Sequence, residues 1–144
     1  MIHVERATEE DINEMCLMDR RTINSDARFG KIAHAVGHRQ AFIAKSGWDR
    51  VGFAIIHRNF FDYTFIDLLI VHPEYRRLGA GDALMAYIEK TCPDDRLFTS
   101  TNQSNGVMQA LLAKRRYIHS GTIDNLDIDD PEWVYIKWLQ HENH

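Results

Sequence analysis

Apolar residues along this chain switch between two periods, and the switches mark out the elements. Ile2 to Arg6 alternates as a short strand does, and Thr8-Glu9-Glu10-Asp11 supplies a helix N-cap with acids in the first turn. Ile12, Met15, Cys16 and Met18 then form a helical stripe. Thr22 to Phe29 is polar and turn-like, and Ile32, Ala33, Ala35 and Val36 predict a second helix stopped by Gly37. Ala41 to Ala44 and Val51 to His57 predict two antiparallel strands joined by the loop Lys45 to Arg50. Phe60 to Val71 predicts a third, long strand. Phe65, Leu69 and Val71 would point one way along it and Ile66, Leu68 and Ile70 the other, so it belongs in the centre of a sheet. Asp67 interrupts that two-faced apolar run.

Helical spacing returns at Ala80, Ala83, Leu84, Tyr87 and Ile88 and stops at Cys92-Pro93-Asp94-Asp95. Leu97 to Ser100 reads as a short strand, Thr101 to Gly106 as a polar turn, and Val107 to Arg115 as a helix with Met108, Leu111 and Leu112 on one side. Tyr117 to Ile123 and Trp133 to Trp138 close the pattern as strands around the acidic connection Asp124 to Glu132. With 144 residues, 44% of them hydrophobic, and no internal repeat, residues 1–144 read as a single mixed α/β domain.

Charge and cysteine usage narrow the partners. A formal net charge of -4 argues against nucleic acid as the main ligand. No stretch approaches the roughly 20 apolar residues of a membrane span, and Met1 to Glu5 lacks the layout of a secretory signal, so a soluble cytoplasmic protein is expected. Cys16 and Cys92 form no CxxC pair; they read as reduced packing thiols, with neither a disulfide framework nor a metal site expected.

The most informative stretch is Val71-His72-Pro73-Glu74-Tyr75-Arg76-Arg77-Leu78-Gly79-Ala80-Gly81-Asp82, between the long strand and the helix that follows. A strand feeding a helix N-terminus presents free amides and the positive end of a helix dipole, which suit a pyrophosphate. Gly79 and Gly81 allow close backbone approach, and Arg76 or Arg77 adds charge. No Walker GxxxxGK[ST] occurs. A dinucleotide fingerprint fits poorly, because Leu84 stands where a third small residue belongs and the preceding strands are spaced as hairpins. On this chemistry alone, an anion cradle and a plain basic turn both remain open.

The segment Asp67 to Gly81 resembles the acyl-CoA-binding motif of the GNAT N-acetyltransferase superfamily, V-x-P-x-x-R followed by x-x-G-x-G/A. Asn105, opening a helix that ends at Lys114-Arg115-Arg116-Tyr117, is similar to a second signature of that family. The resemblance implies a GNAT-like fold, with a central, mostly antiparallel twisted sheet of about six to seven strands flanked by about four helices. It also implies acetyl-CoA as acyl donor, with the pyrophosphate on the loop amides of Arg76, Arg77, Leu78, Gly79, Ala80, Gly81 and Asp82. The pantetheine arm would run along strand backbone at Leu69, Ile70 and Val71 and meet the Asn105 amide. Asn105 has a second reading as a plain helix cap.

Acetyl transfer to an amine needs a neutral amine, a stabilised oxyanion and a sulfur that can leave. Holding a lysine-like amine neutral at pH 7.4 costs about 3 pKa units, roughly 4 kcal/mol, whereas an α-amino group costs under about 1 kcal/mol. Asp67, where relatives resembling this chain carry an acid, is the candidate base; burial there would raise its pKa. Its alternative is to anchor a loop or pair with an arginine such as Arg58. His57 is a second candidate base. Strand amides near Ile70 or Val71 would receive the oxyanion. The sequence departs from the family at Leu112, where a tyrosine commonly protonates the sulfur; Tyr75, Tyr117 or His119 is left as a substitute. Arg116-Tyr117 likewise replaces the usual Gly-Phe pair. The expected activity is direct N-acetylation of a primary amine on a small molecule or a protein. A non-catalytic acyl-CoA-binding module is the alternative, and the oligomeric state, a homodimer included, stays open. The acids Asp62, Asp124, Asp127, Asp129 and Asp130 hint at a cationic acceptor.

Overall fold

The computed structural model describes residues 1–140. Among them run seven strands and four helices: β1 Ile2–Arg6, α1 Ile12–Ile23, α2 Phe29–Gly37, β2 Ala41–Ser46, β3 Asp49–Phe60, β4 Tyr63–Val71, α3 Ala80–Thr91, β5 Arg96–Asn102, α4 Gly106–Lys114, β6 Ile118–Ile123 and β7 Glu132–Trp138. The sheet order is β1-β2-β3-β4-β5-β7-β6. β4 and β5 pair in parallel at Phe65↔Phe98 and Ile66↔Thr99. The pairs β1/β2, β2/β3, β5/β7 and β6/β7 are antiparallel. The element order and the mixed, mostly antiparallel sheet are those expected from the sequence.

Contacts divide the chain into two compact units, residues Met1–Ile56 with Leu68–Ile88, and His57–Asp67 with Glu89–His144. In the first, Met15 and Met18 of α1 and Ile32, Ala35 and Val36 of α2 are buried with Ala41, Ile43, Phe53, Ile55, Leu68 and Ile70 of the strands. The helical stripe and the strand alternation therefore meet in one core, as amphipathic elements must. Asp11 is buried at the start of α1, where it accepts the Thr8 amide at 2.8 Å and the Arg50 Nε at 2.7 Å. Burial pushes its carboxyl up, but the Thr8 amide, Arg50 and Lys45 outweigh that and hold it below the usual aspartate range.

Backbone approaches closely at Gly52 in β3. A Cβ there would stand 2.9 Å from the Ile70 carbonyl oxygen, 3.4 Å from Leu84 Cδ1 and 3.5 Å from Ala80 Cβ. The bare backbone is what lets the first turns of α3 lie against β3 and β4.

In the second unit the acid is Glu89. Its carboxylate accepts Arg115 Nη2 at 2.8 Å and Nε at 3.0 Å, Lys137 Nζ at 2.8 Å and the Tyr117 hydroxyl at 2.9 Å. Burial opposes ionisation, yet these donors hold the Glu89 pKa below the ordinary glutamate value. Burial first, and the Glu89 charge second, drive the Tyr117 phenol far above its ordinary pKa.

Two turns differ from the sequence reading. β3 continues through Phe60, and β4 starts only at Tyr63, because Phe61 (φ 51°) and Asp62 (φ 68°) form a two-residue turn with both residues left-handed. Such turns match the twist of a hairpin and usually carry Asn or Gly, so this one left no turn signal. The rings of Phe60 and Phe61 meet edge to face at 5.0 Å. The loop Lys45 to Arg50 shortens to Gly47-Trp48, with β2 and β3 extending around it. At the end of α4, Arg116 takes the left-handed position (φ 68°) that glycine normally fills. Its amide reaches the Ala113 carbonyl at 3.0 Å, and the Tyr117 amide reaches that of Leu112 at 2.9 Å, a Schellman closure made without glycine.

Two stability measurements check these contacts. Gly52→Ala, by forcing a methyl against the Ile70 carbonyl, is expected to lower unfolding free energy by about 1–3 kcal/mol in urea titration; an unchanged midpoint would show that the strands give way freely. Glu89 has a depressed pKa in the folded state, so its stabilisation is present above the unfolded pKa of about 4.3 and fades as pH falls through the folded value. Glu89→Gln should cost about 2 kcal/mol at pH 7 and reduce the acid loss of stability below about pH 4.3.

Candidate functional site

The last residue of β4, Val71, delivers the chain to a short 3-10 turn, Pro73–Tyr75, whose cap is the His72 ring accepting the Glu74 amide at 3.1 Å. Proline at the first position suits this turn because its missing N–H would have no partner there. Arg21 of α1 approaches the same corner, with Nη1 2.7 Å from His72 Nε2 and 3.5 Å from Glu74. His72 and Glu74 thus shape the loop, as their place in the sequence suggested.

Beyond the turn, Arg76 is extended, Arg77 takes φ 72° and Gly79 takes φ 85°. Arg76, Arg77, Leu78 and Gly79 are all exposed. Nothing lies within 4 Å of where a Gly79 Cβ would be. Gly79 accepts the Ala83 amide at 2.9 Å and so caps α3. Ala80 and Gly81 are buried in the helix's first turn, with Asp82 beside them half-buried. An α-helix leaves the amides of its first turn without intrahelical acceptors, and the dipole makes this end positive. Two arginines, an exposed left-handed glycine and a helix N-terminus thus occupy one short loop of the first unit. That donor set fits a diphosphate.

Buried and half-buried positions alternate along β4 from Tyr63 to Val71, with Leu68 and Ile70 buried and Asp67, Leu69 and Val71 half-buried. Asp67 is therefore less enclosed than a two-faced apolar strand suggested. The carboxylate holding Arg58 is Asp94, at 2.6 Å, which also takes the Thr64 amide at 2.8 Å and hydroxyl at 2.7 Å. His57 is half-buried, its ring stacked on Phe65 at 5.3 Å and its Nδ1 accepting the Asn59 amide at 3.0 Å, which leaves Nε2 as the other ring position.

Asn105 is exposed and caps α4 through Oδ1, which accepts the Met108 amide at 3.0 Å. The capping reading thus holds, and the Nδ2 donor is the part of the side chain left to meet a ligand. Leu112 is fully buried, a core residue rather than a site residue. Tyr117, one of the candidate substitutes for the missing tyrosine, gives its hydroxyl to Glu89, and its raised pKa makes it a poor proton donor. His119 stacks on Trp133 at 4.6 Å with Nε2 at 2.9 Å from the Gly121 carbonyl. Tyr75 has its pKa raised by the Asp49 charge. Among the described residues, no cluster of three or more potential metal-binding side chains occurs, and no helix is long and apolar enough to cross a membrane.

A half-buried ring cluster on β3, β4 and β5 escaped the sequence reading. Phe60 lies 4.9 Å from both Phe65 and Phe98, and Tyr63 lies 5.9 Å from Phe98. The signal for it was the unusual Phe60-Phe61 pair at a hairpin tip.

The model of the Acetyltransferase (GNAT) family matches residues 6–116. A GNAT-family acetyltransferase from Bacillus cereus ATCC 10987 superposes with a TM-score of 0.95 at 33% identity, over 98% of this chain and 99% of that one. The ribosomal-protein-S18-alanine N-acetyltransferase of Escherichia coli shares the fold at 18% identity and TM-score 0.83, covering 99% of this chain and 97% of that one. So does yncA of Salmonella typhimurium, solved with its cofactor acetyl-CoA, at 10% identity and TM-score 0.80, covering 99% and 96%. No curated protein matches the chain by sequence. The match over residues 6–116 takes in the glycine loop and α4, and the chain belongs to the GNAT family of acetyltransferases.

Proposed function

We propose that this acetyl-CoA-dependent acetyltransferase passes the acetyl group directly to a primary amine of a small molecule or a protein. The observation that carries the donor half is Gly79, left-handed and open at the N-terminus of α3 beside Arg76 and Arg77. In this reading the amides from Arg76 to Asp82 hold the donor's pyrophosphate, and the two guanidiniums screen its charge. The backbone of Leu69, Ile70 and Val71 aligns the pantetheine arm, with Asn105 Nδ2 as a further donor to it. Bound acetyl-CoA supplies an activated acyl carbon on a sulfur leaving group.

Asp67 takes the proton from the incoming amine, directly or through a water. His57 Nε2 is the second group in its unit that could do so. Because Leu112 and Tyr117 offer no proton, the sulfur leaves as a thiolate; an ordinary thiol of pKa about 8.5 tolerates that near neutrality. Membership in an acetyltransferase family favours the enzyme over a module that only binds acyl-CoA. Cys16 and Cys92 are free thiols, which suits a reducing cytoplasm.

Thiol release from acetyl-CoA with a panel of primary amines tests the chemistry, and calorimetry with CoA tests the loop. Asp67→Asn is expected to lower kcat by about 100-fold or more with CoA affinity unchanged, the usual size of a lost general base. Equal kcat in the variant would remove Asp67 from the mechanism. Gly79→Val should weaken CoA binding at least about tenfold, since a branched residue resists φ 85° and would fill the open space. Unaltered CoA affinity in a folded Gly79→Val protein would sink the pyrophosphate assignment.

A further inference from the structure

The ring cluster of the second unit faces the same way as a set of polar groups, and together they describe an acceptor. Phe98 of β5 pairs with Phe65 of β4 on one side and Ile136 of β7 on the other. The rings of Phe60 and Tyr63 lie 4.9 and 5.9 Å from it, and Phe65 joins the cluster through Phe60 at 4.9 Å, with His57 stacked on Phe65 at 5.3 Å. The opposite face of β5 is sealed: Leu97, Thr99 and Thr101 are buried, as is Tyr135 paired with Thr99. The rings, by contrast, stay half-exposed, and Phe61 at the hairpin tip is 81% exposed. Aromatic side chains that could have been buried are displayed instead.

What lies next to them decides what they suit. On the ring face of β5, Phe98 is followed by Ser100 and then Asn102. Ser100 donates its hydroxyl to Glu132 Oε2 at 2.6 Å, and Asn102 Nδ2 donates to Asp127 Oδ2 at 2.9 Å. Toward Asn102 the aromatic floor therefore gives way, about 7 Å along the strand, to carboxylates, while at its other end Arg96 covers the Tyr63 ring at 4.5 Å. On β4, Asp67 follows Phe65 by two residues. A molecule with a flat ring at one end and a protonatable nitrogen a short spacer away matches this order in shape and in charge.

We infer that the acceptor is a primary amine carrying an aromatic ring, with Phe60, Phe65 and Phe98 as the ring's floor and Glu132 as the carboxylate that draws in its ammonium form. This rests on the direct N-acetylation proposed above and names the substrate class of that site. Phe98 and Glu132 are then specificity-determining residues.

Initial rates with 2-phenylethylamine and tryptamine, against ethylamine and putrescine, test it. The aryl amines should exceed the ring-free ones about tenfold or more in kcat/KM, since offset ring contact plus apolar burial supplies at least that factor. Phe98→Leu keeps apolar volume but removes the ring, and should raise KM for 2-phenylethylamine several-fold while KM for acetyl-CoA stays put. Glu132→Gln should raise KM for both aryl amines and flatten its dependence on salt. Equal kcat/KM across the panel would overturn the aromatic assignment and leave amine acetylation standing. A dimer that dissociates on Phe98→Leu without any change in amine KM would give the face to a second copy of the chain and overturn it too. Turnover with none of the amines, together with no calorimetric binding of 2-phenylethylamine, would overturn this assignment and the proposed acetylation with it.

Discussion

A missing side chain governs where the loop between β4 and α3 can form. Gly52 leaves its strand backbone bare, and α3 settles against it so closely that a methyl group would meet the Ile70 carbonyl at 2.9 Å. With the helix seated there, its first turn follows β4 after the connection 72–79, and the amides at Ala80 and Gly81 open at the end of the segment that carries Arg76 and Arg77. A helix displaced by even one methyl would carry those amides away from the strand end. The geometry of the loop proposed to hold the pyrophosphate is thus a consequence of packing in the first unit, and the arginines add charge to a geometry the glycine permits.

The polar networks around Asp11 and Glu89 are structural. Asp11 and Glu89 are each enclosed, each ringed by donors, and each held ionised against the cost of burial. Tyr117 is bound into the second of them, which removes it from chemistry. Asp67, half-buried on β4, is the carboxylate proposed above as the base. With Leu112 in the core, acid assistance to the departing sulfur has no residue to come from at that position.

Much of this was legible in residue order. The glycine loop, the central strand and the helix after Asn105 announced themselves through spacing, and each element was found within a few residues of its expected place. Phe61-Asp62 was missed because a left-handed pair without glycine carries no composition signal. Arg116, in place of the usual glycine, closes the end of α4 all the same. The aromatic floor was invisible because Phe60, Phe65 and Phe98 come from three strands, and only the register of the sheet brings them together. Asp67 was expected to be more buried than it is, since alternation in sequence says which residues share a face but not how much covers it.

The central claim is that the loop from Arg76 to Asp82 holds the pyrophosphate of CoA. Backbone amide chemical shifts of the isotope-labelled protein, followed as CoA is titrated in, test it most directly. The largest shifts are expected on Arg77, Leu78, Gly79, Ala80, Gly81 and Asp82, and they should vanish when a ligand with the pantetheine arm but no phosphates replaces CoA. Saturable CoA binding that leaves those amides unmoved would contradict it.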